Sequence, residues 1–176
     1  MEVEEPIEGE EGEVKPSAYP SKKKKVIKKI YAPEVVLLAP KMRLNSNTST
    51  PNEAPCGGLE KQPVHYMTRN GSRNYVQWRV YHPSPNATCT MRLGSTDERL
   101  KVLYPRDGSA DIYGSFPCAR EVGYEGKEFT FPANEECDDC TLQFNMDIYG
   151  RGGIIHQCAD IMIGWTIAQE CSGKCQ

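Results

Sequence analysis

No stretch of this sequence reaches the ~18 consecutive apolar residues of a membrane-spanning helix, so no membrane span is expected. No window of useful length repeats its apolar residues at the 3.6-residue period, which argues against a helical domain. The signatures G-x-S-x-G, Walker loop and H-E-x-x-H are all missing, and with them the usual marks of a serine hydrolase, a P-loop nucleotide site and a zinc protease. There are only three His and two Trp. Met1 is followed by acids, where a secretory leader would have a basic start and an apolar run of about 7 to 15 residues. An extracytoplasmic site of action therefore implies a leader removed ahead of this numbering.

What is present begins with charge. The first thirty residues hold seven Glu, seven Lys and one aromatic, too little apolar surface to offset the entropy of ordering. They read as a disordered tail, 1–30, ahead of one domain, 31–176. The tail is split into an acidic block and a basic one, Lys15 and Lys22 to Lys29, and sums to zero, so the domain carries the whole net charge of −3. That excludes a dedicated nucleic-acid domain, which would show a strongly basic balance. The Ser21 to Lys29 run is compatible with a nuclear address, a polyanion contact, a processing site or, most simply, a solvated linker.

Eight Cys stand beside three N-x-S/T sequons at Asn47, Asn70 and Asn86, a combination that suits the oxidising secretory route. The eight are Cys56, Cys89, Cys118, Cys137, Cys140, Cys158, Cys171 and Cys175, read as disulfide-bonded. The expected protein is an extracellular or cell-surface glycoprotein.

The ordered part reads as short strands broken by turns. Glu34 to Leu38 is an apolar strand stopped at Ala39-Pro40, and Arg43 to Pro55 is a polar loop. Asn70-Gly71 marks a tight turn, because both residues tolerate positive φ. From Tyr75 to Tyr81, Val76, Trp78 and Val80 point one way and Gln77 and Arg79 the other. Cys89 to Leu93 repeats the alternation. Leu100 to Tyr104 and Phe129 to Phe131 are weaker strands, with Gly123 to Gly126 as punctuation between elements. Leu142, Phe144, Met146 and Ile148 give the core face of another strand, and Ile154 to Ile163 is apolar on both faces, as a central strand is. About seven strands with regular turns predict an all-β, disulfide-bonded, immunoglobulin- or fibronectin-like sandwich.

Three signatures then stand together: Cys56-Gly57-Gly58, the run Cys137-Asp138-Asp139-Cys140-Thr141-Leu142-Gln143, and His156-Gln157-Cys158-Ala159-Asp160-Ile161. In their order and spacing the sequence resembles the lytic polysaccharide monooxygenase-like superfamily, including chitin-binding type-4 domains and the copper-acquisition-factor-like branch. The likeness runs from about Val35 to Ile163. It implies the same sandwich, and it implies Cys56 and Cys158 as bridging partners. In that family copper is held by the α-amine and imidazole of an N-terminal His together with a second His. Here the first strand reads Glu34-Val35-Val36-Leu37, and the first His in the chain is His65. The resemblance thus carries the fold without the oxidative activity, and no cofactor is expected.

His65, His82 and His156 remain candidates for a different metal site, against the simpler reading of two loop histidines and one sheet histidine. Cys137 and Cys140 with Cys171 and Cys175 offer four thiolates to zinc, although disulfides suit the sequons better. A redox role for the CxxC is weaker, since a strand follows it. Asp138, Asp139, Asp147 and Asp160 do not by spacing make a glycosidase pair; the first two read as turn residues and Asp160 as a strand-end or buried hydrogen-bonded group. Tyr75, Tyr81, Tyr113 and Tyr149 are the better lead, as glycan or partner contacts whose rings bury area while the hydroxyls stay hydrogen-bonded. The sequence reading is a non-catalytic extracellular structural or surface-assembly protein with protein partners or self-assembly. Its alternatives are a chitin- or cellulose-type carbohydrate-binding module and, last, a copper-binding or polysaccharide-oxidising protein.

Overall fold

Nine strands organise the described residues, which are 35–44, 53–148 and 153–164 of a computed structural model. In chain order they are β1 (Val35–Ala39), β2 (Tyr66–Arg69), β3 (Arg73–Val80), β4 (Thr88–Gly94), β5 (Lys101–Leu103), β6 (Phe116–Pro117), β7 (Gly123–Thr130), β8 (Cys137–Asp147) and β9 (Ile154–Gly164). One sheet has the order β1-β3-β7, and the other β2-β9-β8-β4-β5, with β6 also paired to β4. All pairs are antiparallel except β2 with β9. This is the expected all-β sandwich. The proposed tail, 1–30, lies outside the described residues, as do Asn47, Tyr149, Cys171 and Cys175.

The alternation read from sequence decides what lies between the sheets. Val76, Trp78 and Val80 of β3 are buried, as are Leu142, Phe144, Met146 and Ile148 from the other layer. Trp78 stacks on Phe144 with ring centroids 5.1 Å apart and lies 6.0 Å from Phe116, which is 6.0 Å from Phe129. Such aromatic contacts add about 0.5 to 1.5 kcal/mol each beyond the area they bury. The indole N–H is satisfied by Glu125, 3.1 Å away.

A polar residue also crosses this core. Gln157 of β9 donates through Nε2 to the Val35 carbonyl and accepts at Oε1 from the Leu37 amide, both at 2.7 Å. These are main-chain groups on the side of β1 away from β3, so a side chain satisfies what a further strand would otherwise have paired.

Three expectations are corrected. Gly123 to Gly126 do not punctuate; they begin β7, where the missing side chain of Gly126 leaves room for the ring of Tyr75. Asp138 and Asp139 are not in a turn but in β8, whose register slips against β9 between Cys137 and Cys140, a bulge that spaces the two Cys for their bridge. β8 is also buried on both faces, because Thr141, Gln143 and Asn145 are covered as fully as the apolar set. The cover comes from the preceding chain: Gln143 donates to the Pro55 carbonyl, and Cys56 is bridged to Cys158. Arg43, at the start of the loop read from sequence, is buried. It is 2% exposed.

Candidate functional site

The histidines do not converge. His82 is exposed after β3, and His65 precedes Tyr66, which pairs with Ile161, five residues along β9 from His156. At ~3.3 Å per residue that is roughly 16 Å. His156 is half-buried and belongs to an ordered relay. Gln143 donates to the Pro55 carbonyl, Asn145 Nδ2 donates to Gln143 Oε1 at 2.8 Å, and His156 Nδ1 therefore donates to Asn145 Oδ1, also at 2.8 Å. Burial, then the nearby Arg92, lowers the imidazole pKa. Among the described residues no three His, Cys, Asp or Glu gather as metal ligands.

The described residues at the start of β1 do not fit the copper site that the resemblance implies. Val35 and Leu37 at the start of β1 are buried apolar side chains, and Val36 offers no donor atom either. Cys137 and Cys140 are joined to each other, with Cα atoms 5.6 Å apart, and so offer no thiolate pair to zinc. Cys89 is bridged to Cys118.

Asp160, Asp97 and Asp139 are likewise engaged. Asp160 grips Arg43 through Nε at 2.8 Å and Nη2 at 2.6 Å, and also accepts from the Gln62 amide at 2.8 Å. Asp97 takes the other side of the guanidinium, Nη1 at 2.8 Å and Nη2 at 2.9 Å, while Nη1 donates to the Leu59 carbonyl and Nη2 to Thr141 Oγ1. Burial opposes the charge on Arg43, but the hydrogen bonds to Asp97 and Asp160 outweigh it, so its pKa is raised. Asp97 is lowered, by the hydrogen bond from Arg43 before all else. Asp139 pairs with Lys61 at 3.1 Å, and Asp147 lies at the far end of β8. Asp138 and its neighbour Asp139 border a second depression of about 350 Å³ with Gln62, Pro63, Val64 and Met162. The clamp at Asp97 and Asp160 fastens residues 43, 59–62 and 97 onto β8 and β9; its organiser, Arg43, left no sequence signal.

The exposed tyrosines do form a surface. Along β3 the outward positions are Arg73, Tyr75, Gln77 and Arg79, and Tyr81 follows the strand end. Tyr75 is 59% exposed and lies against Gly126 of β7, where an added Cβ would stand 2.6 Å from its Cζ and Oη. Arg79 pairs across the ladder with Tyr124, its guanidinium carbon 5.4 Å from that ring and 4.7 Å from the ring of Tyr81. Such contacts contribute about 0.5 to 1 kcal/mol each at exposed sites and hold the guanidinium in place. Beside them is an open depression of about 580 Å³, bordered by Tyr75, Tyr124, Arg120, Ser109 and Lys127. Lys127 is tied to Asp107 at 2.5 Å, which with Ser109 holds that exposed carboxyl down at about 2.

Tyr113 is exposed but sits on the 104–115 loop, its amide bound to Asp111, and does not border the depression. Sequence reasoning gave Tyr75 and Tyr81 and missed Arg79 and Gly126. The outward spacing of Arg79, two residues from Tyr81, was the available signal. Of the sequons, Asn86 is exposed between β3 and β4, whereas the Asn70 amide donates to the Ala133 carbonyl at 2.8 Å.

No family model matches this sequence, and no curated protein matches it. Solved structures do. The catalytic domain of a lytic polysaccharide monooxygenase from Listeria monocytogenes superposes with a TM-score of 0.51 at 12% identity, over 73% of this chain and 98% of that one. A lytic polysaccharide monooxygenase from Jonesia denitrificans gives 0.48 at 12% identity, over 74% and 99%. The sandwich is thus a lytic polysaccharide monooxygenase-like fold.

Proposed function

We propose that this chain is a non-catalytic binding protein that works outside the cell in surface assembly, and that the outer face of the three-stranded sheet is its contact surface. The observation that carries this reading is the arrangement of Tyr75, Arg79, Tyr81 and Tyr124. Two rings hold a guanidinium while a third lies on a glycine, all on an exposed sheet face. Aromatic residues and Arg are the types enriched at the energetic centres of interfaces. The non-catalytic reading is supported by Asp97, Asp160 and His156, whose hydrogen bonds are spent inside the fold. Bridges Cys56–Cys158 and Cys89–Cys118 support an oxidising compartment.

A double Tyr75→Ala, Tyr124→Ala variant tests the face. Light scattering against concentration and co-sedimentation with chitin, cellulose and cell-surface material should show association by the parent protein and its loss in the variant. Equal association by both would remove the face from the account, and oxidised chain ends released from a polysaccharide with copper and a reductant would make the protein catalytic.

A further inference from the structure

Resting on that reading of the β3–β7 face, we infer that its partner is an acidic polysaccharide, one bearing carboxylate or sulfate groups.

The charge on the face points this way. The chain as a whole is acidic, at −3, yet the outward positions of β3 hold two arginines and no acid. Across the ladder, Glu128 stands opposite Tyr75, but Arg106 takes it, Nε to Oε2 at 3.0 Å. Among the described ion pairs, Arg73 and Arg79 have no carboxylate partner. Arg120, also outside those pairs, adds a third cation at the rim of the depression, while Glu125, which borders it too, is engaged by the Trp78 indole and by the Ala119 and Arg120 amides. A row from Arg73 to Arg79 spans six residues, roughly 20 Å at 3.3 Å per residue, so the cations are spaced for a repeating anion and not for a single ion. Guanidinium groups bind carboxylate and sulfate through paired N–H donors, and Arg79 is already held by its two rings.

The shape selects a sugar over an acidic peptide. Tyr75 reaches over Gly126 of the neighbouring strand and is largely exposed, and the depression beside it is open. A pyranose ring presents a flat C–H face bordered by polar groups, which complements an exposed aromatic ring with a cation a few residues away. A peptide adding to the sheet would need a strand edge, and none lies between Tyr75 and Arg79, because β3 is already paired on both sides by β1 and β7.

Affinity electrophoresis of the full chain through gels containing polygalacturonate, dextran sulfate, neutral dextran or polyglutamate tests this. Retardation by one or both acidic polysaccharides and not by dextran is expected, weakened about tenfold by Arg79→Gln or by Tyr75→Ala, and falling with salt for the parent. Which of the two acidic gels retards identifies the anionic group. Retardation in dextran that Tyr75→Ala abolishes would overturn the acidic class while leaving the face intact. Polyglutamate binding as tight as polygalacturonate binding would overturn the sugar. Retardation lost on replacing Lys22 to Lys25 by Gln, but unchanged in Arg79→Gln and Tyr75→Ala, would move binding to the basic run and overturn the face as well, as would no retardation in any gel.

Discussion

Arg43 and Asp160 are 117 residues apart in sequence and share two hydrogen bonds, at 2.6 and 2.8 Å, with side chains only 1% and 2% exposed. The pair stands between the chain that leaves β1 and the central strand β9, and Asp97 completes it from a third segment. Breaking a buried pair by removing one partner leaves a charge uncompensated, which typically costs about 3 to 5 kcal/mol. Arg43→Ala should therefore lower the unfolding free energy by that much in a urea titration. A loss under ~1 kcal/mol would show that the clamp is ornamental.

The same clamp makes stability depend on acidity. The Asp97 carboxyl is held below its ordinary value, so its contribution is complete above an unfolded pKa near ~4 and drains away as pH falls through the folded one. His156 is also lowered, by burial first and then Arg92; the unfolded chain takes up that proton sooner, and stability starts to fall below pH ~6.5. Urea midpoints between pH 7 and 3 should decline in two stages. Asp97→Asn should flatten the acidic one and His156→Gln the one near neutrality; parallel curves for all three proteins would contradict both assignments.

Cys56 and Cys158 close a loop with a sequence separation of 102. In the chain-entropy treatment a closure of that length contributes roughly 4 to 5 kcal/mol, against a typical total of about 5 to 15. Cys56→Ser should sharply lower the melting temperature and secreted yield. Peptide mapping of the unreduced protein that joins Cys56 to any other Cys would refute the bridge.

Gly126→Ala separates binding from folding. The new methyl would displace the far end of Tyr75, a flexible group, and alanine is favoured over glycine in a strand by roughly 0.5 to 1 kcal/mol. The melting temperature should stay within a few degrees of the parent while association through the face weakens. Undiminished association in this variant would mean that the seating of Tyr75 is irrelevant.

The layers were legible where one face of a strand is buried and the other wet. Tyr75 to Tyr81 gave the inward Val76, Trp78 and Val80 and the outward tyrosines, because burial and alternation coincide there. β2 was not legible: Tyr66–Arg69 is short and owes its existence to parallel pairing with β9, nearly a hundred residues on. β7 was hidden by its glycines, of which Gly126 matters for the Tyr75 ring that sits on it. The Cys56–Cys158 pairing came with the resemblance and not from spacing. Cross-strand register, which places Tyr124 beside Arg79, and long-range charge pairing, which buries Arg43, are properties of the folded sheet that no local window encodes.

The amide of Gln157 has one further consequence. Strands at a sheet margin invite foreign chains to continue the ladder, which is how sandwich proteins begin to form fibrils. Because that amide occupies the Val35 carbonyl and the Leu37 amide from within, β1 offers an incoming strand neither a donor nor an acceptor at those two residues. At those two residues the first strand is in this way closed to pairing with a second copy of the chain.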